Sequence, residues 1–184
     1  MGFRILIVED EDEIADYLVR GLREEGFSVE RAADGEAGWH YLKTGTWDVV
    51  LITQDPSGKE VRTKGTKTTT KHTEFHTLDA FEGEFMGLRL VGHGVNGYCA
   101  VRGQYFTLWT DSMTPSPMLL FGDYDAGKRE LALRGECYGM SGKLEKCRTV
   151  TRFVDDDHVS WALYGAGPDG REVQFLRNEY TRRR

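Results

Sequence analysis

Long apolar runs are missing from this chain. No stretch approaches the roughly 20 consecutive apolar residues that cross a bilayer as a helix, and no apolar leader follows Met1. Cysteine is scarce and odd in number, with Cys99, Cys137 and Cys147 alone. That usage argues against a disulfide framework and for a reduced, cytoplasmic setting. Clustered positive charge is missing as well. Arg182-Arg183-Arg184 is the one basic run, expected to be a solvated tail, so a nucleic-acid surface, which needs a concentrated positive field, is not expected. No Gly-x-Ser-x-Gly elbow, Walker loop or zinc-finger spacing of Cys and His occurs, which removes the common nucleophile, nucleotide and structural-zinc motifs.

What remains is the composition of an ordinary folded chain of 184 residues, 39% hydrophobic and 29% charged. The charge is unevenly placed. Residues 1–44 hold 11 Asp+Glu against 5 Lys+Arg and so carry the whole formal −6, while the 19 acidic and 19 basic residues after them cancel. An acidic first quarter on a balanced remainder implies two pieces of different ancestry.

In the first piece, Arg4-Ile5-Leu6-Ile7-Val8 is a short unbroken apolar run, the pattern of a parallel strand covered on both faces. The acidic group Glu9-Asp10-Glu11-Asp12 follows. Ile14, Tyr17, Leu18 and Leu22 then recur at helical spacing, with Asp12 as a plausible N-cap and Gly26 as the stop. Residues 27–31 read as a second strand and 35–42 as a second helix, a β-α-β-α order that belongs to doubly wound sheets.

The segment RILIVEDEDEIADYLVRGLREEGFSVERAADGEAGW resembles the opening of a receiver domain from the winged-helix class of response regulators, over roughly the first 52 residues. The resemblance implies that Glu9 and Asp10 would help hold a metal ion serving an aspartate in the pattern Asp-x-x-x-x-Asp. Here that pattern starts at Asp48 and lands on Thr53. Threonine offers no carboxylate for phosphoryl attack and is a poor ligand for a hard cation. The later βα units, with their switch residue and lysine, are missing too. The cluster after the first strand is therefore expected to be a solvated acidic group near a helix N-terminus.

From Gly45 onward the texture changes to alternating segments at 46–53, 59–71, 75–84, 88–98, 104–112, 117–125, 129–136, 144–154, 158–166 and 171–181. Turn signals punctuate them, among them Asp55-Pro56-Ser57-Gly58, Asp125-Ala126-Gly127-Lys128, Asp155-Asp156-Asp157 and Gly167-Pro168-Asp169-Gly170. Strand after strand without a helix-length insert is an antiparallel meander. About ten flat strands would leave two exposed edges, so closure into a barrel is expected.

GTWDV, TKGT, WTDSM, RTVTRFVDDDHVSWALYGAGPDGRE and the closing NEYTRR resemble the family known as domain of unknown function 1579, over about residues 43–184 and in the correct order. Its barrels are similar to the lipocalin and nitrobindin group. The expected organisation is thus a truncated receiver-like α/β segment at 1–44 and a lipocalin-like barrel at 45–184. The two meet by fusion in or near GTWDVV, residues both families tolerate.

Candidate chemistry is sparse. Trp47 occupies the Gly-x-Trp position, where the resemblance implies a plug packed under the first strand. Tyr105, Thr107, Trp109 and Asp111 share one strand face and Phe106 and Leu108 the other. The resemblance favours the Trp109/Asp111 face as the inward one, where Asp111 either orients a polar ligand group or holds a neighbouring turn. Together with Tyr164, these aromatic residues make the expected ligand-binding set Trp47, Tyr105, Trp109, Asp111 and Tyr164. His72, Glu74 and His76 would share a face on an uninterrupted strand, a possible zinc set, but the family segment turns there. Asp155-Asp156-Asp157-His158 reads as solvated turn chemistry. Cys137 and Cys147 flank a glycine-rich connection and are expected to be structural thiols that neighbour each other across strands.

The expected function is a binding barrel for a small apolar or aromatic molecule, carrying a receiver remnant that cannot be phosphorylated. No cofactor is expected. Haem is the alternative, since nitrobindin-like relatives bind it through one barrel histidine, though no motif singles one out here. A competing class is a barrel enzyme of isomerase, cyclase or hydratase type, with Asp111 and His93 or His76 as acid–base candidates. A third is a signalling or interaction protein using the acidic segment. Residues 1–44 alone are too few for a stable core, so their apolar residues are expected to pack on the barrel exterior or in a homodimer. No membrane partner is expected.

Overall fold

The computed structural model describes residues 4–9, 11–32, 44–55, 57–73, 75–139, 141–167 and 169–183. The chain divides into two compact units, Met1–Lys43 and Thr44–Arg184.

In the first unit, strand β1 (Arg4–Val8) and strand β2 (Ser28–Ala32) pair in parallel, joined by helix α1 (Asp12–Glu24). Ile7, Ala15 and Val29 form its buried centre. The helix starts one residue earlier than the capping pattern suggests: Glu11 is the N-cap and makes no side-chain cap bond. Glu9 Oε1 instead accepts the Glu11 N–H at 3.1 Å. Gly26 adopts φ +86°, a left-handed conformation that only glycine takes cheaply, and the helix stops there. Arg31 closes the unit, donating to Asp12 Oδ1 at 2.5 Å. The helix expected at 35–42 and the candidate Asp10 lie outside the described residues.

The second unit is a closed antiparallel barrel of ten strands: β3 (Gly45–Gln54), β4 (Glu60–Lys71), β5 (His76–Phe85), β6 (Leu88–Cys99), β7 (Gln104–Asp111), β8 (Met118–Asp125), β9 (Glu130–Tyr138), β10 (Leu144–Phe153), β11 (His158–Ala166) and β12 (Glu172–Arg182). Each strand pairs with its sequence neighbours, and β12 returns to β3 to close the ring. Closure removes both edges, which is why a meander of this length needs no helix to cover it.

The turns work as the sequence suggests. Between β3 and β4, Asp55 Oδ1 accepts the Ser57 N–H at 2.8 Å, the Ser57 hydroxyl at 2.6 Å and the Lys59 N–H at 3.0 Å. Those bonds hold the Asp55 carboxyl below its ordinary range, the Ser57 hydroxyl contributing most. Between β8 and β9, Asp125 takes the Lys128 N–H at 3.0 Å and its ammonium at 2.6 Å.

Register fixes which face looks inward. Trp47, Val49 and Leu51 of β3 lie opposite Arg182, Tyr180 and Asn178 of β12, and opposite Lys67, Gly65 and Thr63 of β4. Around the ring the same face carries Phe81, Leu90, Trp109, Leu120, Leu133, Cys147, Thr149, Leu163 and Leu176. The apolar ones among them form two clusters, one centred on Val49, Leu51, Phe81 and Leu90 and one on Leu120, Leu133 and Cys147. Large rings fit because small residues face them. A Cβ on Gly65 or Gly83 would fall 2.8 Å from the Phe81 ring, and one on Gly92 would fall 2.2 Å from Trp109.

The basic end of the chain corrects an expectation. Arg182 is not a solvated tail: its guanidinium lies 5.4 Å from the Trp47 ring centroid and donates to the Thr44 carbonyl at 2.5 Å. Arg183 hydrogen-bonds Asp48 and lowers that carboxyl's pKa. The antiparallel pairing of β12 with β3 brings these distant segments together. No helix among the described residues is long and apolar enough to cross a membrane.

Candidate functional site in the barrel wall

Between the apolar clusters, the inner wall carries a connected polar group that hydropathy does not reveal. Asp79 Oδ1 accepts the Thr69 hydroxyl at 2.6 Å, and its Oδ2 accepts the Asn96 amide at 3.0 Å and the Lys67 ammonium at 3.4 Å. The Thr107 hydroxyl continues the chain to Asn96 Oδ1. Lys67 also sits 4.8 Å from the Tyr180 ring centroid, and the Tyr180 hydroxyl accepts the Asn178 amide at 3.1 Å. Four neighbouring strands, β4 to β7, supply the first five residues, and β12 supplies Asn178 and Tyr180.

The electrostatics keep Lys67 charged. Burial disfavours its ammonium, but the facing Asp79 carboxylate and the Tyr180 oxygen together outweigh that and hold the pKa above the ordinary value. Burial raises the Tyr180 hydroxyl, against lowering by Lys67 and by the Asn178 bond. The group is only part-satisfied. The Asn178 carbonyl oxygen is buried without a hydrogen-bond partner among the described residues, as is the Trp47 indole nitrogen. The Lys67 ammonium has three donors and finds one hydrogen-bond acceptor among the described residues, Asp79 at 3.4 Å.

The residues expected from sequence separate into inner and outer sets. Tyr105, Thr107, Trp109 and Asp111 do face inward, opposite Tyr98, Asn96, Gly94 and Gly92 of β6. Trp109 meets Phe81 edge-on at 6.4 Å, and Tyr105 meets Tyr98 at 5.1 Å. Asp111 is largely consumed by its own chain end. Its Oδ2 accepts the Trp109 indole N–H at 2.8 Å, and its Oδ1 accepts the backbone N–H groups of Met113 at 2.8 Å and Thr114 at 2.9 Å. Trp47 is 3% exposed and covered by Arg182, as a plug would be.

Tyr164 is a correction. It pairs with Arg148, beside the inward pair Cys147 and Gly165, so strand alternation puts it on the outer wall. There the Arg148 guanidinium stacks 4.1 Å from its ring and pairs with Glu172 at 2.7 Å. Trp161, opposite Asn178, is the inward aromatic of β11 that sequence reading passed over.

The acid–base set is also dispersed. His93 pairs with Ala80 and Thr110 beside the inward Gly92 and Gly94, so it points outward and is exposed. His76 pairs with Gly97 and packs its ring on the outward Phe106 at 5.7 Å. Neither shares a face with Asp111. The zinc set is broken by the turn between β4 and β5, where the His72 N–H donates to the His76 carbonyl at 3.0 Å; Glu74 lies outside the described residues. His158 sits at the β10–β11 hairpin with Nδ1 at 2.8 Å from Asp155, beside an open depression of about 340 Å³ lined also by Arg129, Asp156 and Asp157. Among the described residues, His76 and His93 thus point outward, and His72 and His158 lie exposed at turns. No group of three or more His, Cys, Asp or Glu among them is disposed to hold a metal ion.

One signal for the missed residues existed. Asn178 and Tyr180 belong to the closing NEYTRR segment and share the face of Leu176. Lys67 and Thr69 are hidden because both faces of β4 are polar, so alternation has nothing to report.

Comparison with known proteins follows this division. Residues 39–182 match the family described as Protein of unknown function (DUF1579). Transcriptional regulatory protein CusR of Escherichia coli is 43% identical over 49 residues, covering 27% of this chain and 22% of that protein. Transcriptional regulatory protein DltR of Streptococcus agalactiae is 45% identical over 49 residues, with the same shares. The chain thus spans about a fifth of the length of these curated relatives. Among solved structures, Rv2717c from M. tuberculosis is similar with a TM-score of 0.58 at 14% identity, over 79% of this chain and 96% of that one. The S-type phycobiliprotein lyase CPES from Guillardia theta gives a TM-score of 0.50 at 9% identity, over 79% and 90%. At these identities the likeness shows the fold alone.

Proposed function

Because the chain belongs to the DUF1579 family, matched from residue 39 to residue 182, we propose that it is a small-molecule-binding barrel. Its ligand is apolar or aromatic and carries one hydrogen-bonding head. The observation that carries this reading is the unfilled hydrogen-bonding capacity of the inner wall: a partnerless Asn178 oxygen beside the Tyr180 hydroxyl and an under-coordinated Lys67. A buried polar atom without a partner costs about 1–3 kcal/mol, so such atoms usually answer to water or a ligand. Lys67 and Tyr180 would donate to a carbonyl or carboxylate oxygen, and Asn178 would accept from a ligand N–H or O–H. Phe81, Trp109 and Trp161 offer flat apolar surface for the rest.

Native mass spectrometry of freshly purified protein, together with tryptophan fluorescence titrated with a panel of aromatic and fatty carboxylates, tests the reading. Saturable quenching that weakens at least tenfold in Lys67→Met and Asn178→Leu supports it. No retained species and no saturable quenching by any probe removes it.

The acidic first quarter is proposed to be a remnant that cannot take a phosphoryl group. Thr53 stands where the acceptor would be and lies within β3, a strand committed to the antiparallel barrel. Incubation with acetyl phosphate and magnesium should leave the intact mass unchanged; a hydroxylamine-labile adduct would overturn this.

A further inference from the structure

Two of the three cysteines occupy one small region of the inner wall, in the apolar cluster of Leu120 and Leu133. β9 and β10 pair so that Cys137 lies opposite Glu145 and Cys147 lies opposite Gly135. The two cysteines are therefore diagonal neighbours on one face. Cys147 is buried at 6% exposure among Leu120 and Leu133, and Cys137 packs against that same cluster from a more open position. With glycine facing it, Cys147 meets no opposing side chain from β9, which leaves its thiol open on the side of Cys137. Diagonal Cα atoms in a flat sheet are about 7–8 Å apart, slightly beyond the usual disulfide limit of about 6.8 Å. Here the face is the concave side of a closed barrel, where side chains converge, and both cysteines belong to the same Leu120–Leu133 cluster.

We propose that Cys137 and Cys147 are an oxidisable dithiol that closes to an intramolecular disulfide on reaction with a hydroperoxide. Cys137 is the attacking sulfur, being the more accessible of the two. Its thiolate attacks the outer peroxide oxygen, the O–O bond breaks, and an alcohol or water leaves while Cys137 becomes a sulfenic acid. The Cys147 sulfur then attacks the Cys137 sulfur, its proton goes to the departing hydroxide, and water is released as the S–S bond forms. The pair loses two electrons and the peroxide gains them. The electronic bias agrees with these roles: the neighbouring Cys147 thiol lowers the Cys137 pKa despite burial and the nearby Glu145, while the Cys137 sulfur and burial raise Cys147. Thiolate character and access set oxidation rates. Cys99 is a built-in control, since it ends β6 on the outer side, opposite Gln104.

The full chain is treated with a small molar excess of hydrogen peroxide, then alkylated under denaturing conditions and mapped by mass spectrometry without reductant. The expected product is one chain lighter by two hydrogen atoms, with Cys137 and Cys147 peptides linked, Cys99 alkylated, and full reversal by dithiothreitol. Cys99→Ser should leave the link intact, and Cys137→Ser and Cys147→Ser should each abolish it. The wild-type map alone keeps the proposal falsifiable if a variant fails to fold. A linkage through Cys99, a sulfenic or sulfinic acid on Cys137 with no crosslink, or three thiols still alkylatable after oxidant would each overturn it.

Discussion

The Lys67 ammonium lies 4.8 Å from the centroid of the Tyr180 ring, held across β3 from the opposite strand. Each residue shifts the other's titration, and both end with raised values. A group that binds its proton more tightly when folded adds stability fully below its unfolded pKa and loses it as pH rises through the folded one. Melting temperatures should therefore hold up to about pH 10, the ordinary range for tyrosine and lysine, and fall above it. Lys67→Met should show a shallower fall across the same window. Equal slopes for the two proteins above about pH 10 would refute the coupling.

Asp111 and Trp109 form the second pair with a measurable consequence. The carboxylate holds the indole and the turn after β7 together. Asp111→Ala leaves those donors unpaired and should cost about 1–3 kcal/mol. Asp111→Asn keeps one acceptor oxygen and should cost less. Urea unfolding followed by tryptophan emission checks both, and an alanine variant as stable as the parent would show that the turn holds itself.

Gly92 is spatially required under Trp109. An added methyl would fall 2.2 Å from the indole ring, so Gly92→Ala must displace it or spread β6 from β7. Overpacking of this kind costs about 1–3 kcal/mol. The same substitution at Gly21 on α1 meets nothing within 4 Å and should be neutral or stabilising, since alanine is about 1 kcal/mol better than glycine within a helix. Denaturation midpoints of the two variants should move in opposite directions or differ clearly.

The barrel's hydrogen-bonded ring runs from β3 to β12 and takes no strand from residues 1–43. A chain beginning at Lys43 should fold, with a β-type circular dichroism spectrum and one cooperative melt. Its solubility or oligomeric state should change if the acidic segment covers apolar surface, as analytical ultracentrifugation would show. An unfolded product would mean that the first unit is needed to form the barrel.

The amino-acid sequence already marks where the strands are. Alternation and turn residues predict ten segments from 46–53 to 171–181, and the structure has strands within a few residues of each, because strand periodicity and turn conformation are local properties. It also determined the change of character near Gly45 and the inward face of β7, the latter through family resemblance to WTDSM. Which residues meet across the ring, and on which wall, is set by strand register and closure. Tyr164 is an apparent ligand residue until the β10–β11 register sets it beside Arg148 on the outside. Arg182 is a tail residue until β12 returns to β3 and lays it over Trp47. Lys67, Asp79, Asn178 and Tyr180 are separated by up to 113 positions in a chain whose local pattern gives no sign that they meet. Their proximity comes from ring closure, a long-range pairing that no window of neighbouring residues encodes.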